Sequence, residues 1–382
     1  MSEWKKVKLK EVSLTIQPGP FGTQLHNSDY TNYGIPVIMP RDMIDGRVLH
    51  ERLEYVSEET ANRISRHKVY AGDIIVARKG DVRKCIFIRE SENGWITGSD
   101  CIKMQLNNTL CNSLYIYYQL RSPYIGAWLQ KVSKGATMPS LNTSLLGDIE
   151  IGLPPLPTQH RIATILSRYD SLIENYQKQI KLLEEAAQRL YKEWFVDLHF
   201  PGHENTKIVD GVPEGWKKKS VTDVLEIKYG KDHKLLKDGT NPVYGTGGVM
   251  RYVEKSLCTG ESVLIPRKGS LNNILLVDGT FWTIDTMFYS IPKEDNVAKI
   301  VYFYLKGVDM YSFNIGAAVP SMTINILSGM KLLIPKDDIR KEFEKIVSIY
   351  FIRVQSLQSQ IRLLTEARDR LLPKLMSGEI EI

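Results

Sequence analysis

The sequence has little of what metal-binding, secreted or membrane proteins need. Its four cysteines (Cys85, Cys101, Cys111 and Cys258) form no Cys-x-x-Cys pair, and its seven histidines offer no pair at metal-ligand spacing. These counts argue against a zinc cluster and predict reduced thiols. No apolar run reaches the roughly 18 to 20 residues that span a bilayer, and residues 1–10 are too polar for a signal peptide. We therefore expect a cytoplasmic protein without a bound metal.

Common catalytic motifs are missing as well. The sequence has no Gly-x-x-x-x-Gly-Lys-Ser/Thr phosphate loop, no His-Glu-x-x-His, no Gly-x-Ser-x-Gly and no Asn-Pro-Pro-Tyr-type tetrapeptide of adenine methyltransferases. The glycine cluster at residues 245–248 lies between two strand-like runs, which predicts a hairpin turn rather than a nucleotide-binding loop. The Glu-Ile-Lys triplet at 226–228, with Asp210 and Asp223 upstream, is more simply a strand with alternating faces than a nuclease centre. We expect no catalytic residues.

The composition is that of an ordinary globular protein. The chain has 43% hydrophobic and 25% charged residues, and its length allows two to four domains with their own cores. Its net charge of +6 and pI near 8.9 favour a polyanionic partner only mildly.

The sequence repeats itself once. The matching pairs of segments are 134–140 with 315–321, 154–190 with 335–371 and, at looser spacing, 4–6 with 216–218 and 72–80 with 260–269. The shift of about 181 residues is far longer than the unit of a solenoid, so it indicates a domain duplication.

Each copy changes character at a proline, Pro154 in the first and Pro335 in the second. Before it, short β-branched and aromatic runs separated by Gly, Asn and Asp predict strands. After it, apolar residues at alternating three and four spacing predict a long helix. The expected fold is α+β, with two strand-rich domains alternating with two helical regions. The predicted boundaries are 1–153, 154–200, 201–334 and 335–382.

The two helices carry matching heptad stripes. The predicted seam is Leu166, Tyr169, Ile173, Tyr176, Ile180, Leu183, Ala187 and Leu190 in the first helix, and Val347, Tyr350, Val354, Leu357, Ile361, Leu364 and Leu371 in the second, interrupted only by Arg368. A single stripe would favour a helix lying on its own domain. Two matched stripes on helices of roughly 30 residues, about 45 Å long, favour helices that pack on each other. If these helices run antiparallel, the duplicated chain has pseudo-twofold symmetry.

An Arg-Lys-Gly turn recurs at 78–80 and 267–269 between apolar strands. Adjacent cations beside a glycine suit contacts with phosphate or guanine, and their repetition favours DNA binding over a solvated turn. Arg83-Lys84 follows the first turn and Asn272-Asn273 the second, which predicts that the copies read different sequences. The candidate DNA contacts are Arg41, Arg78, Lys79, Arg83, Lys84, Lys134, Lys231, Lys234, Tyr244, Arg251, Arg267, Lys268, Asn272 and Asn273.

Across its whole length the chain resembles the specificity subunits of type I restriction-modification systems. The most specific match is the proline-rich helix entry at residues 153–163, followed by Trp194-Phe195. The Gly-Asp-Ile-x-x-x-Arg-x-Gly segment at 72–80 and the Gly-Ala-Thr-x-Pro-x-Leu-Asn segment at 135–142 also resemble that family's target recognition domains.

The resemblance implies a DNA-binding subunit without catalysis. It implies two target recognition domains (1–153 and 201–334) that each read half of a bipartite asymmetric site. It also implies two conserved helical regions (154–200 and 335–382) that pair as an antiparallel coiled coil and set the spacing of the domains. It further implies double-stranded DNA, two methyltransferase subunits and two restriction subunits as partners, with S-adenosylmethionine, ATP and magnesium bound only by those subunits. The alternatives are a specificity subunit or scaffold of another methylation or nuclease system, and a coiled-coil protein scaffold without DNA readout.

Overall fold

The computed structural model describes residues 4–132, 140–313 and 321–382. Its contacts divide the chain into two compact units, the first made of Met1–Tyr176 and Gln360–Ile382 and the second of Gln177–Ser359. Each unit combines a strand-rich domain with part of each of two long helices. No helix in the described ranges is long and apolar enough to cross a membrane.

The strands of the first unit form two four-stranded sheets and two strand pairs. They are β1 (Lys5–Lys8), β2 (Ser13–Pro18), β3 (Tyr30–Thr31), β4 (Ile35–Ile38), β5 (Met43–Ile44), β6 (Arg47–Val48), β7 (Glu54–Val56), β8 (Ile74–Ala77), β9 (Cys85–Phe87), β10 (Ile96–Thr97), β11 (Cys101–Leu106) and β12 (Glu150–Leu153). The sheets have the orders β2-β11-β8-β9 and β10-β4-β7-β3, while β1 pairs with β12 and β5 with β6. All four side chains of the β-branched strand β8 are buried, as its central place requires.

The strands of the second unit follow a similar plan. They are β13 (Ile208–Val209), β14 (Val212–Pro213), β15 (Lys217–Ser220), β16 (Leu225–Tyr229), β17 (Asp238–Gly245), β18 (Gly248–Val253), β19 (Cys258–Thr259), β20 (Ser262–Pro266), β21 (Leu275–Val277), β22 (Thr280–Thr283), β23 (Met287–Pro292) and β24 (Lys331–Ile334). The sheets have the orders β16-β23-β20-β21 and β18-β17-β22-β19, while β15 pairs with β24 and β13 with β14.

The predicted duplication is visible in this topology. The sheet β16-β23-β20-β21 repeats β2-β11-β8-β9, with every neighbouring pair antiparallel in both. The pairing of β15 with β24 repeats that of β1 with β12 and joins the start of each domain to the strand before its long helix. The hairpin predicted at the glycine cluster is also confirmed, since Gly245 at the end of β17 pairs with Gly248 at the start of β18.

Helices occur inside both domains as well as after them. They are α1 (Glu58–Arg63), α2 (Ser113–Leu120), α3 (Pro123–Val132), α4 (Thr143–Gly147), α5 (Leu156–Tyr191), α6 (Val221–Val224), α7 (Ala298–Lys306), α8 (Ile324–Gly329) and α9 (Asp337–Ser377). The expectation that the chain before each proline boundary forms only strands was therefore incomplete. Nearly every side chain of α2 is buried, so this aromatic segment shows no polar face that would reveal a helix.

The two long helices, α5 and α9, have 36 and 41 residues and exceed the roughly 30 residues expected. After Tyr191, α5 passes into a π-helical turn, Lys192–Val196, which buries Trp194 and Phe195. In the second unit these rings pack on Phe343 of α9, with the Phe195 and Phe343 centroids 4.8 Å apart.

The long helices contact each other within each unit. In the first unit, Arg368 of α9 donates a 2.6 Å hydrogen bond to Asp170 of α5. In the second unit, Arg353 of α9 donates a 3.5 Å hydrogen bond to Gln179 of α5. The ring of Tyr191, later in α5, contacts the ring of Phe343, earlier in α9. Within the second unit, a contact that lies later in α5 is made to a residue that lies earlier in α9. The helices therefore form an antiparallel coiled coil that alternates with the strand-rich domains.

None of the predicted seam residues is exposed. The fully buried ones are Leu166, Ile173, Ala187, Val347, Val354 and Leu357, and the half-buried ones are Tyr169, Tyr176, Ile180, Leu183, Leu190, Tyr350, Ile361, Leu364 and Leu371. The stripes also reach the domains: Leu166 belongs to the core of the first domain, and Val347 to that of the second. Each stripe thus joins a helix both to its partner and to a strand-rich domain.

Candidate nucleic-acid interface

The two Arg-Lys-Gly turns occupy equivalent places in the repeated sheets. The first directly follows β8 and the second follows β20. Gly80 has a φ of +76° and Gly269 a φ of +80°, a left-handed conformation that favours glycine. The lysines also correspond, because Lys79 forms an isolated bridge to Ser140 and Lys268 one to Ser321. Both cationic turns therefore have the same backbone conformation and the same backbone pairing.

The main chain of Arg78 is held from two sides. Its amide donates to the Asp100 carbonyl at 2.7 Å, and its carbonyl accepts a 2.8 Å bond from the Leu141 amide. Its guanidinium carbon lies 5.0 Å from the centroid of the Phe21 ring. The neighbouring Lys79 ammonium forms an exposed ion pair with Asp100 at 3.1 Å.

Arg267 is held in the same way in the second domain. Its amide donates to the Thr286 carbonyl at 2.8 Å, and its carbonyl accepts a 2.9 Å bond from the Met322 amide. Its guanidinium lies 5.1 Å from the Tyr229 ring centroid, and Nη1 donates to the Asp285 carbonyl at 3.2 Å. We call Arg78 and Arg267 the turn arginines.

Three other cationic candidates of the first domain, Arg41, Arg83 and Lys84, already have protein partners. Arg41 forms an ion pair with Glu54, and Arg83 donates to both carboxylate oxygens of Asp81 at 2.8 and 3.1 Å. The Arg83 hydrogen bonds lower the pKa of Asp81. Lys84 donates to the carbonyl of Pro40 at 3.1 Å. The two arginine charges are thus largely neutralised, and all three side chains have part of their hydrogen-bonding capacity in use.

A cleft of about 950 Å³ opens beside the first turn, and Arg41, Lys79 and Tyr30 are among its lining residues. Burial raises the pKa of Tyr30 to about 12, so its hydroxyl stays protonated near neutral pH and can donate a hydrogen bond. The cleft thus contains cations, carboxylates and a neutral donor, and groups of these kinds can hydrogen-bond to base edges.

The candidates around the second turn occupy different environments. Lys231 and Lys234 are exposed in the segment after β16. Arg251 joins that segment to the β17–β18 hairpin, because its Nη2 bonds to the Leu236 carbonyl at 2.9 Å and to Asp238 at 2.7 Å. Tyr244 is half-buried, and this burial raises its pKa. Arg251 and Tyr244 therefore shape the surface, while the two lysines are available on it.

Asn272 and Asn273 have a structural role that could not be inferred from their positions in the sequence. The Asn272 amide donates to Asp309 at 3.2 Å and accepts from the Met310 amide at 2.8 Å. The Asn273 amide donates to the Thr246 carbonyl at 2.7 Å. Their side chains are thus bound to other segments of the protein, which weakens the expectation that they bind adenine. Lys134 lies outside the described residues.

The sequence reasoning missed Phe21 and Tyr229, which contact the turn arginines. Phe21 is followed by Gly22 and Tyr229 by Gly230, so an aromatic residue next to a glycine near the end of a strand was the available signal. The rejected nuclease triplet forms part of strand β16, where Glu226 and Lys228 lie 3.4 Å apart in an ion pair. In the described part of the chain, no cluster of His, Cys, Asp or Glu could hold a metal ion.

Comparison with known proteins agrees with this architecture. Residues 1–185 and 213–365 each match the family model described as the type I restriction modification DNA specificity domain. The chain is 26% identical to the type I restriction enzyme MjaIX specificity subunit of Methanocaldococcus jannaschii, over all of this chain and 94% of that one. It is 20% identical to the HindI specificity subunit of Haemophilus influenzae over the full length of both.

A solved structure shares the fold. The type I restriction-modification S subunit from M. genitalium superposes with a TM-score of 0.63 at 19% identity, covering 98% of this chain and 96% of that one. The family match takes in both copies of the internal repeat and most of the chain. The chain therefore belongs to the type I restriction modification DNA specificity domain family.

Proposed function

We propose that this chain is the sequence-specific DNA recognition subunit of a type I restriction-modification complex. Each strand-rich domain reads one half of a bipartite asymmetric site, and the paired helices set the distance between the halves. The observation that carries the proposal is the repetition of a clamped turn arginine at the same place in two equivalent sheets. Arginine in a fixed geometry is the side chain best suited to bidentate contact with guanine.

The differences between the domains support two unlike half-sites. Around the first turn lie the Arg83–Asp81 pair and the cleft with Arg41, whereas around the second the asparagines hold protein segments. Different neighbours on one scaffold expose different donors and acceptors to DNA, so the two halves of the site should differ.

Catalysis belongs, in this proposal, to partner subunits. Two methyltransferase subunits would supply adenine methylation with S-adenosylmethionine, and two restriction subunits would supply cleavage with ATP and magnesium. The repeat offers two equivalent docking positions: Leu182 of α5 is 62% exposed and its repeat partner Leu363 of α9 is 56% exposed. Exposed leucines on helices rich in charge suit contacts with another protein. Because one such leucine occurs in each copy of the repeat, the chain could bind two methyltransferase subunits in equivalent ways.

The test is long-read mapping of methylated adenine in cells that express the chain with its methyltransferase subunit. Arg78→Ala should relax base preference in one half of the motif, and Arg267→Ala in the other, each by about 10-fold or more. Arg189→Ala, which removes an exposed positive charge from α5, is the matched control and should leave the motif unchanged. An unchanged motif in both turn variants, or identical methylation without the chain, would refute the proposal.

A further inference from the structure

Each turn arginine contacts an aromatic ring that is itself substantially exposed. Phe21 is 45% and Tyr229 is 52% exposed, and each lies at or shortly after the end of an edge strand. A single exposed aromatic residue needs no explanation. Here, however, the same contact, at 5.0 and 5.1 Å, recurs in both copies of a duplicated domain.

The protein holds the two aromatic residues in different ways. The Phe21 carbonyl accepts bonds from the Gln24 and Leu25 amides at 2.7 and 3.1 Å, which closes a tight turn. Tyr229 forms part of β16, and its ring packs edge to face on the buried Phe288 with centroids 5.0 Å apart. The backbone that carries Phe21 and the ring of Tyr229 are therefore both held in place.

The turn arginines differ from the other arginines of the candidate interface. Arg41, Arg83 and Arg251 each form an ion pair with a carboxylate. Within the described ranges, neither Arg78 nor Arg267 has such a partner, and the aromatic ring takes that place. A ring contacts the face of the guanidinium and does not occupy its in-plane N–H donors, whereas a carboxylate does. Arg267 uses one of these donors, Nη1, for the Asp285 carbonyl and keeps the others.

We propose that Phe21 and Tyr229 are positioning residues for base recognition. Each ring restricts its turn arginine to an orientation in which two N–H donors meet the two acceptors of one guanine. The inference rests on the proposed function and adds the aromatic ring to its specificity machinery. It predicts that the ring affects discrimination between bases more than total affinity for DNA.

The experiment uses the complex of the chain with its methyltransferase subunits and a library of sites varied at each position. Phe21→Leu and Tyr229→Leu keep an apolar side chain but remove the aromatic face. Each should lower discrimination at one base pair of its own half-site by roughly 3- to 10-fold and leave the salt dependence of binding unchanged. Phe21→Tyr and Tyr229→Phe keep the aromatic face and should therefore discriminate between bases as well as the unaltered chain does.

Tyr33→Leu and Tyr252→Leu are matched controls, because these tyrosines are 84% and 53% exposed in the same two domains. They should leave discrimination unchanged. If Phe21→Leu behaves like the unaltered chain while Arg78→Ala relaxes the motif, the positioning role is wrong but the proposed function stands. If Arg78→Ala also leaves the motif unchanged, base reading by this turn fails.

Two results would show that the rings serve folding or general affinity. In the first, the leucine variants lose binding equally at every base pair. In the second, the Phe21→Tyr and Tyr229→Phe variants lose discrimination as the leucine variants do. Either result would overturn the inference. Thermal unfolding of each variant separates these cases from simple destabilisation, since a positioning role predicts lost discrimination without a matching fall in stability.

Discussion

A single arginine interrupts the seam of α9, and its surroundings explain why it is tolerated. Arg368 donates to Asp170 at 2.6 Å, and Tyr118 of α2 donates its hydroxyl to the other oxygen of that carboxylate at 2.7 Å. Burial raises the pKa of Tyr118, so the hydroxyl remains a donor. One carboxylate thus links both long helices and the recognition domain within the first unit.

We predict that Asp170→Asn lowers the stability of the chain by about 2 to 3 kcal/mol, because the largely buried Arg368 charge then keeps only the exposed Asp369 as an ionic partner. Urea denaturation measures the change. Asp369→Asn is the control, since Asp369 also bonds to Arg368 but is 57% exposed, and it should cost less than about 0.5 kcal/mol. Equal effects of the two variants would show that burial of the Asp170 pair is unimportant.

At this scale the sequence identified candidates but could not assign their partners. The repeat revealed Arg78 and Arg267, because both copies keep them beside a glycine. The roles of Asn272 and Asn273 depend on Asp309 and Thr246, which come from distant parts of the chain. Folding alone brings such groups together, so composition and spacing cannot distinguish a base contact from an internal hydrogen bond.

At the scale of elements, the proline-rich entry to α5 is an anchor as well as a boundary. Gln159 in its first turn is only 1% exposed. Its amide nitrogen donates to the Pro154 carbonyl at 2.8 Å, and its oxygen accepts a 2.8 Å bond from the amide of Asn112. Asn112 caps α2 by accepting from the Tyr115 amide. The start of α5 is therefore fixed to the start of a domain helix.

We expect Gln159→Leu to destabilise the first unit by about 2 kcal/mol, because two buried backbone groups lose their partners while the volume changes little. Gln358→Leu, on the exposed side of α9, makes the same chemical change without this burial and should shift stability by less than about 0.5 kcal/mol. Hydrogen exchange should localise the first effect to the amides of Asn112 and its neighbours. Protection that stays unchanged there would contradict the anchor.

The elements that sequence reasoning found and those it missed differ in their exposure. The long helices have a polar face, so their heptad period is visible in the sequence. The domain helices α2 and α7 bury most of their side chains, several of them aromatic or β-branched, and these residues favour strands when taken alone. Their helical state is set by packing against the sheets, which local propensity does not report.

At the scale of the whole molecule, the proposed function makes helix length a determinant of the DNA site. The test duplicates residues 177–183 and 353–359, two heptads that lie in the same unit and contact each other through Gln179 and Arg353. When both heptads are duplicated in one chain, each helix gains one full heptad, so the seam residues of the two helices still face each other. Each adds about 10 Å of helix, which corresponds to roughly three base pairs of B-DNA.

We predict that the doubly extended chain, with its methyltransferase subunit, methylates the same two half-sites separated by a longer spacer. The half-sites should persist because the turn arginines and their rings lie outside the inserted segments. A matched variant with only one duplicated heptad should lose activity, since its seam residues no longer face partners. Methylation of the original motif with its original spacer by the doubly extended chain would contradict the proposal, because the distance between the readers would then be independent of the helices that join them.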